Sequence, residues 1–326
     1  MGLAVTIRPF DGSDADYEAA AAVWNAIHPD IAGSGAEMRS RDGRTDPEKY
    51  YLCRWMAKDT TTGDIVGGAL LRHMTWSFDP HRFVFFVAVI PDRQRQGIGR
   101  ALYQTVSDTL HELGAGEAWT TTRETLADTL GFLARRGFEE KERLWESRLN
   151  VPAFDAAPFA PLLGRIADDG ITIVTLAEVQ QRDPKWLHII YDLDATLSAD
   201  APSPRPFTHP SIEDYTLHHV NASCLLPDGY FLAMDGERYV GVSFVERRDR
   251  WPDRLAHGFT GVRRKYRGRG IATTLKVKTI EYARQHGYTE IVTENSTLNA
   301  PMLAVNEKLG FVRQPAWVEL LKKLER

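Results

Sequence analysis

One short pattern occurs twice in this chain and limits its possible folds more than any other feature. Gln94-Arg95-Gln96-Gly97-Ile98-Gly99 returns 173 residues later as Arg267-Gly268-Arg269-Gly270-Ile271-Ala272. Held without a gap, the same offset pairs Val89 with Val262, Leu102 with Leu275, Gly114 with Gly287, and Gly137-Phe138 with Gly310-Phe311. A chance Gly-x-Gly does not carry its neighbours along. Val66-Gly67-Gly68 and Val240-Gly241-Val242 fall within one residue of that offset, so the repeat spans residues 67–138 and 241–311. A sequence that repeats on this scale is expected to fold as two similar domains. With 326 residues, each half is long enough to bury its own core.

Hydrophobic residues make up 43% of the chain and charged residues 26%, a balance that places it among globular proteins and away from disordered or fibrous ones. A net charge of −4 supplies no general attraction to nucleic acid or anionic membranes, so any anion must be bound locally. Cys53 and Cys224 are the only thiols, one per half; they form no disulfide framework and no metal-ligand spacing, which points to a reducing compartment. The longest apolar run, residues 83–90, has the length of a strand and not of a membrane span. Met1-Gly2-Leu3-Ala4-Val5-Thr6 fits a loose myristoylation pattern, but residues 3–7 alternate like a first strand, and we read them so. No cleavable signal peptide is visible. The expectation is a cytoplasmic protein, monomer or homodimer, with no metal and no nucleic-acid or membrane partner.

The first half reads as a strand at residues 3–9 and a helix at 16–27. Strands follow at 50–57 and 65–73, joined by a polar, glycine-containing turn, and a doubly apolar strand at 82–90. After the glycine loop, Ile98, Leu102, Val106 and Leu110 recur every four residues, predicting a helix that ends at a left-handed Gly114. Residues 151–161, with three prolines, read as the linker, so the domains are placed at 1–150 and 151–326. The second half repeats the order. A strand lies at 171–176, helical stretches at 186–193 and 215–222, and strands at 230–234, 239–245 and 256–262, with Asp235-Gly236 as a hairpin turn. The proline-bearing stretch 200–210 is expected to be an ordered surface loop.

A glycine-rich loop that leaves a strand and opens a helix gathers backbone N–H groups and the positive end of the helix dipole around one point, which suits a phosphate. Gly97 and Gly270 sit where a Cβ would obstruct a pyrophosphate, and Arg95, Arg100, Arg267 and Arg269 supply countercharge. No Lys-Ser/Thr follows the glycines, which excludes a Walker loop, and neither copy has the third glycine of a dinucleotide fingerprint. A tight helix entry with no ligand is the plain alternative; two copies in matching context argue against it. A nucleic-acid patch at Arg263-Arg264-Lys265-Tyr266 is disfavoured by the overall acidity.

Both loops resemble motif A of the GCN5-related N-acetyltransferase (GNAT) superfamily, Gln/Arg-x-x-Gly-x-Gly/Ala, with Gln94 and Arg267 in first position. The resemblance covers about two-thirds of the chain and matches tandem, two-domain members of the superfamily in length. It implies an α/β fold of two GNAT-like domains, each a mostly antiparallel sheet flanked by helices. It also implies acetyl-CoA as acyl donor and direct transfer to a primary amine of a small molecule or peptide. In the family, the strand before motif A splays from its neighbour, and pantetheine pairs with the exposed backbone. The cofactor-binding residues carried over are Val89, Gln94, Arg95, Gln96, Gly97, Ile98, Gly99 and Arg100 in the first half. In the second they are Val262, Arg267, Gly268, Arg269, Gly270, Ile271, Ala272, Asn299 and Asn306.

The halves differ downstream. Asn299-Ala300-Pro301-Met302 and Val305-Asn306-Glu307-Lys308-Leu309-Gly310-Phe311 resemble motif B in full, although Asn299 is also a good N-cap. The first half has Leu126, Thr129 and Leu133 at the matching positions, so its motif B is degenerate and the C-terminal half is expected to be catalytic. The tyrosine that many members use as general acid is absent. Glu294 and His257, with Glu246 behind them, are the candidate bases. Two alternatives stand beside this reading: both domains turn over, or a domain serves only to bind acyl-CoA as a scaffold or regulator. His28, Glu37, Trp186 and Asp192 are residues that could line an acceptor site, with none favoured. The acceptor itself stays open among small molecule, antibiotic, peptide amine and cysteinyl sugar.

Overall fold

The computed structural model describes residues 4–221, 224–247 and 252–325. The expected strand start at Leu3, the Met1-Gly2 pattern and the helix end at Ala222 lie outside the described residues. Two compact units are present: Met1–Thr122, Leu126–Lys141 and Glu319–Arg326 form unit 1, and Arg123–Thr125 with Glu142–Val318 form unit 2.

Unit 1 runs β1 (Val5–Pro9), α1 (Asp14–Ile27), α2 (Gly35–Asp42), β2 (Leu52–Asp59), β3 (Ile65–His73), β4 (Arg82–Val89), α3 (Ile98–Glu112), β5 (Glu117–Arg123) and α4 (Ala127–Ala134). The strands lie in chain order, antiparallel except for the parallel pair β4–β5. Strand alternation sends Phe86 to one face, against Trp24 of α1, and Phe85 to the other, against Tyr103 of α3. The predicted helix stripe is the buried one: Ile98, Leu102, Val106 and Leu110 are all inside, and Gly114 has φ +61°. β6 (Glu139–Asn150) then leaves unit 1 for unit 2.

Unit 2 contains α5 (Ala160–Asp168), β7 (Ile171–Thr175), α6 (Leu176–Arg182), α7 (Trp186–Ser198), α8 (Ile212–Tyr215), β8 (Leu225–Asp235), β9 (Arg238–Arg247) and β10 (Arg254–Val262). It continues through α9 (Ile271–Gln285), β11 (Glu290–Ser296), α10 (Ala300–Lys308), the short β12 (Val312–Arg313) and β13 (Trp317–Lys323). Its strand order is β7-β8-β9-β10-β11-β6, again antiparallel except for β10–β11. α7 packs with Val242 and Phe244 on one face; α9 packs with Val245, Leu255 and Ile291 on the other. From residue 319 onward β13 belongs to unit 1, where Leu321 packs with Met74, Val84 and Trp119. Each repeat therefore gives its last strand to the other unit.

The segment read as a linker is part of unit 2. Val151, Phe154 and Phe159 are buried with Leu149, Val277 and Ile280, because the apolar residues between the prolines face the core. α5 follows without a break, with Pro161 in its first turn where the missing N–H costs nothing.

Candidate active site

In both units the parallel ladder stops early. β4 pairs with β5 from Arg82↔Glu117 to Val84↔Trp119 and then runs on to Val89. β10 pairs with β11 from Arg254↔Glu290 to Ala256↔Val292 and runs on to Val262. Past these points the facing backbones part and leave a slot in which an extended chain can bond to the strand edge. Of these two strands β10 is bulged, between His257 and Thr260, and β4 keeps its register against β3. Gly258 lies in the bulge because the Phe244 ring occupies the place that a Cβ would take.

At the end of each slot the repeated loop is built the same way. Gln94 Nε2 donates to the Val89 carbonyl at 2.9 Å, and Arg267 Nε donates to the Val262 carbonyl at 2.8 Å. The first motif position thus ties the loop back to its strand. Arg95 and Gly97 have φ of +62° and +89°, and Gly268 and Gly270 have φ of +78° and +95°. Alternating left-handed residues turn successive N–H groups toward one point. Among the described residues, no backbone N–H from Arg95 to Arg100, or from Gly268 to Thr273, reaches a backbone carbonyl. Each loop is therefore a nest of free donors at a helix N-terminus, the geometry that holds a pyrophosphate. Arg95 is the sole non-glycine at positive φ among the described residues, a conformation that costs about 1–2 kcal/mol.

What surrounds the two nests differs. Gln94, Arg95, Gln96 and Gly97 are exposed, and Arg95 makes a solvent-exposed pair with Asp128 at 3.2 Å. In unit 2 Arg267 and Gly268 are exposed as well, but Gly270 is half-buried: α5 lies against it, with Leu162 Cδ1 2.5 Å from where a Cβ on Gly270 would stand. The cations there are already paired: Arg269 with Asp169 at 3.2 Å, and Arg264 and Arg267 with Asp200 at 2.8 and 3.0 Å. Arg264 beside Asp200 holds that carboxyl below its ordinary value.

The predicted catalytic pair does not converge. His257 is buried on the α9 face, its Nε2 3.1 Å from Ser243 Oγ, and burial followed by the nearby Lys276 charge pushes its pKa well down. Glu294 is exposed; strand alternation puts it on the face opposite Thr293 and Ile291. Glu246 is half-buried on the α7 face. Asn299 caps α10, accepting from the Met302 N–H, and Asn306 is buried, donating to Asn295 Oδ1 at 2.5 Å. Of the acceptor-lining residues, Glu37 closes a capping box with Ser34, and His28 is buried against Trp24. Trp186 opens α7 half-buried, and Asp192 is exposed.

Three features escape a reading of the sequence. Asp194 of α7 is pushed up to about 6 by burial, near Tyr215 and Tyr230, whose hydroxyls burial raises further. Lys276, fully inside α9, lies 5.1 Å from the Phe311 ring and is lowered to about 7 by burial alone. Leu162 covers Gly270. The repeat held one signal: Lys276 stands where the first copy has Tyr103.

A slot between parted parallel strands that ends at a nest on a helix N-terminus, present in both units, defines an acyl-CoA transferase fold. The acetyltransferase (GNAT) family model matches residues 18–138 and 191–311, and the chain belongs to that family and is an N-acetyltransferase. Over 238 residues it is 26% identical to a mycothiol acetyltransferase of Catenulispora acidiphila, covering 71% of this chain and 69% of that one. A Corynebacterium glutamicum mycothiol acetyltransferase is 28% identical over 237 residues, covering 69% and 70%. A GCN5-related N-acetyltransferase structure from Sphaerobacter thermophilus superposes with a TM-score of 0.74 at 17% identity, covering 100% of this chain and 98% of that one. A tandem GNAT protein from the clavulanic acid biosynthesis pathway does so with 0.73 at 19%, covering 99% of each. These two likenesses confirm a tandem GNAT fold. Among the described residues no helix is long and apolar enough to cross a membrane.

Proposed function

We propose that the donor is acetyl-CoA, that the loop at residues 94–100 of unit 1 holds it, and that the acetyl group passes directly to a primary amine. The observation that carries this reading is the contrast between the nests. Both nests keep six free N–H groups, but Gly97 is exposed, whereas Gly270 is half-buried under Leu162 and the arginines of the second loop face Asp169 and Asp200. It reverses the sequence-based preference for the C-terminal half, which rested on motif B. Asn299 serves there as a helix cap, and Asn306 is buried.

The N–H groups of residues 95–100 would hold the pyrophosphate. The β4 edge beyond Val84 would pair with pantetheine amides and offer an N–H to the thioester oxygen as charge builds on it. The donor supplies the activated acyl group. The amine has to lose a proton from a parent pKa near 10.4 before it attacks.

A second reading, with turnover in unit 2, is favoured by Asp194. A carboxyl raised to about 6 on the α7 face is a suitable base, and it requires α5 to leave Gly270. Glu294→Gln and His257→Ala belong to that reading and would lower the rate only under it. The functional division we propose follows the repeat, residues 1–150 and 151–326, with a small-molecule or peptide acceptor. The assay is coenzyme A release with a panel of amines. A Cβ on Gly99 would stand at ordinary contact distance, 3.7 Å from Val89 Cγ2, and the counterpart of Gly99 is Ala272. Gly99→Trp is expected to abolish release and Ala272→Trp to preserve it; the reverse pattern selects unit 2.

A further inference from the structure

At one matching register position the two units carry side chains of opposite charge. In unit 1, Arg72 of β3 pairs with Val84, the last residue of β4 still joined to β5. In unit 2 the matching residue is Glu246, which pairs with Ala256, the last residue of β10 still joined to β11. Arg72 lies on the α1/α2 face, because its partner Val84 shares a face with Phe86, and Phe86 touches Trp24.

Around Arg72 the charge is one-sided. Arg54, two residues along on β2, is committed to Asp42 through both guanidinium nitrogens, and Tyr17 also donates to Asp42 at 3.1 Å. That carboxylate is the one acid among the groups whose charge Arg72 feels, against the charges of Arg41 and Arg54. Arg72 Nε is buried and makes no hydrogen bond among the described residues, and Arg44 Nε on the same segment as Arg41 is in the same state. Burial, followed by the Arg41 and Arg54 charges, pushes the Arg72 guanidinium down to about 10. Arg72 is half-buried with its Nε inside and unbonded, and the nearby Asp42 is already held by Arg54, so an anion that reaches the guanidinium would complete it.

We propose that Arg72, with Arg41 beside it, is an anion subsite of unit 1 that holds the carboxylate or phosphate of an acidic acceptor. Arg72 is one strand away from the slot, so an anionic group held there lies about 5–10 Å from the reacting amine. That is the span of a short amino acid or an aminoalkyl phosphate.

The inference deepens the reading of unit 1 as the working half, and its test separates the two. O-phosphoethanolamine, β-alanine and ethanolamine are titrated calorimetrically into the full chain, with and without coenzyme A. The same titrations are run on Arg72→Gln and Arg41→Gln. Arg41 is exposed on α2, so its variant remains informative if loss of Arg72 perturbs folding. The expected result is binding of one or both acidic probes roughly tenfold or more tighter than ethanolamine, the worth of a charge-assisted bond. Which acidic probe binds tighter distinguishes phosphate from carboxylate. Both variants should lose that preference while acetyl-CoA still binds. Equal binding of all three probes to the wild type, or a preference unchanged in both variants, overturns the anion subsite. Loss of acetyl-CoA binding to unit 1 in Gly99→Trp tests the donor assignment alone, because the probes are also read without donor.

Discussion

Lys276→Met should stabilise unit 2, and the size of the effect follows from where the ammonium sits. Lys276 is 1% exposed in the middle of α9, and desolvation alone lowers it from 10.5 to about 7. In the unfolded chain the same group keeps its ordinary value, so between these two pH values the folded state binds fewer protons than the unfolded state. Stability therefore rises with pH across that window and is lowest at and below pH 7. A difference of 3.5 pH units, with the group half-protonated at pH 7, corresponds to a penalty of about 4 kcal/mol there and about 1 kcal/mol at pH 10. Methionine fills similar volume without a charge, but gives up the contact with Phe311, worth about 1 kcal/mol. The variant should be about 3 kcal/mol more stable at pH 7 and within about 1 kcal/mol of wild type at pH 10. Urea unfolding of both proteins at the two pH values measures this directly. A gain that is the same at both values, or a loss at pH 7, refutes the buried, uncompensated ammonium.

Other outcomes follow from the packing. Leu162→Ala should uncover the second nest and add a second acetyl-CoA binding event in a calorimetric titration; an unchanged isotherm means that Leu162 is not what closes it. Glu146 is 1% exposed and bonded to Arg123 at 2.7 Å and to Arg148, so Glu146→Ala should cost about 3–5 kcal/mol in chemical unfolding, as the loss of one partner of a buried pair does. Truncation after Val318 removes Leu321 from Met74, Val84 and Trp119, and should lower the melting temperature with loss of the Trp119 fluorescence signature of the folded state. A truncated chain that melts as wild type would contradict the assignment of β13 to unit 1.

Much of the fold was readable because local pattern and tertiary need agree. The four-residue stripe from Ile98 to Leu110 is the buried stripe of α3, and Asp235-Gly236 turns β8 into β9. Two capping boxes, Ser34 with Glu37 and Thr175 with Glu178, were legible signals for α2 and α6 that the hydrophobic pattern alone did not bring out. The nests were readable in position, through their glycines, but the left-handed Arg95 was not, since only the loop's geometry demands it. The strand exchange was hidden because alternation in β6 or β13 specifies a strand and not its neighbour. The linker reading weighted three prolines over Val151, Phe154 and Phe159, which the core uses. Asp200 lies in a proline-bearing loop 67 residues from Arg267, a separation at which no local pattern reports a pairing.

Whether the open nest of unit 1 is the donor site can be decided by calorimetric titration of acetyl-CoA into wild type and Gly99→Trp. One site per chain is expected in the wild type and none in the variant. Two sites in the wild type, or a single site that survives in Gly99→Trp, would contradict the assignment.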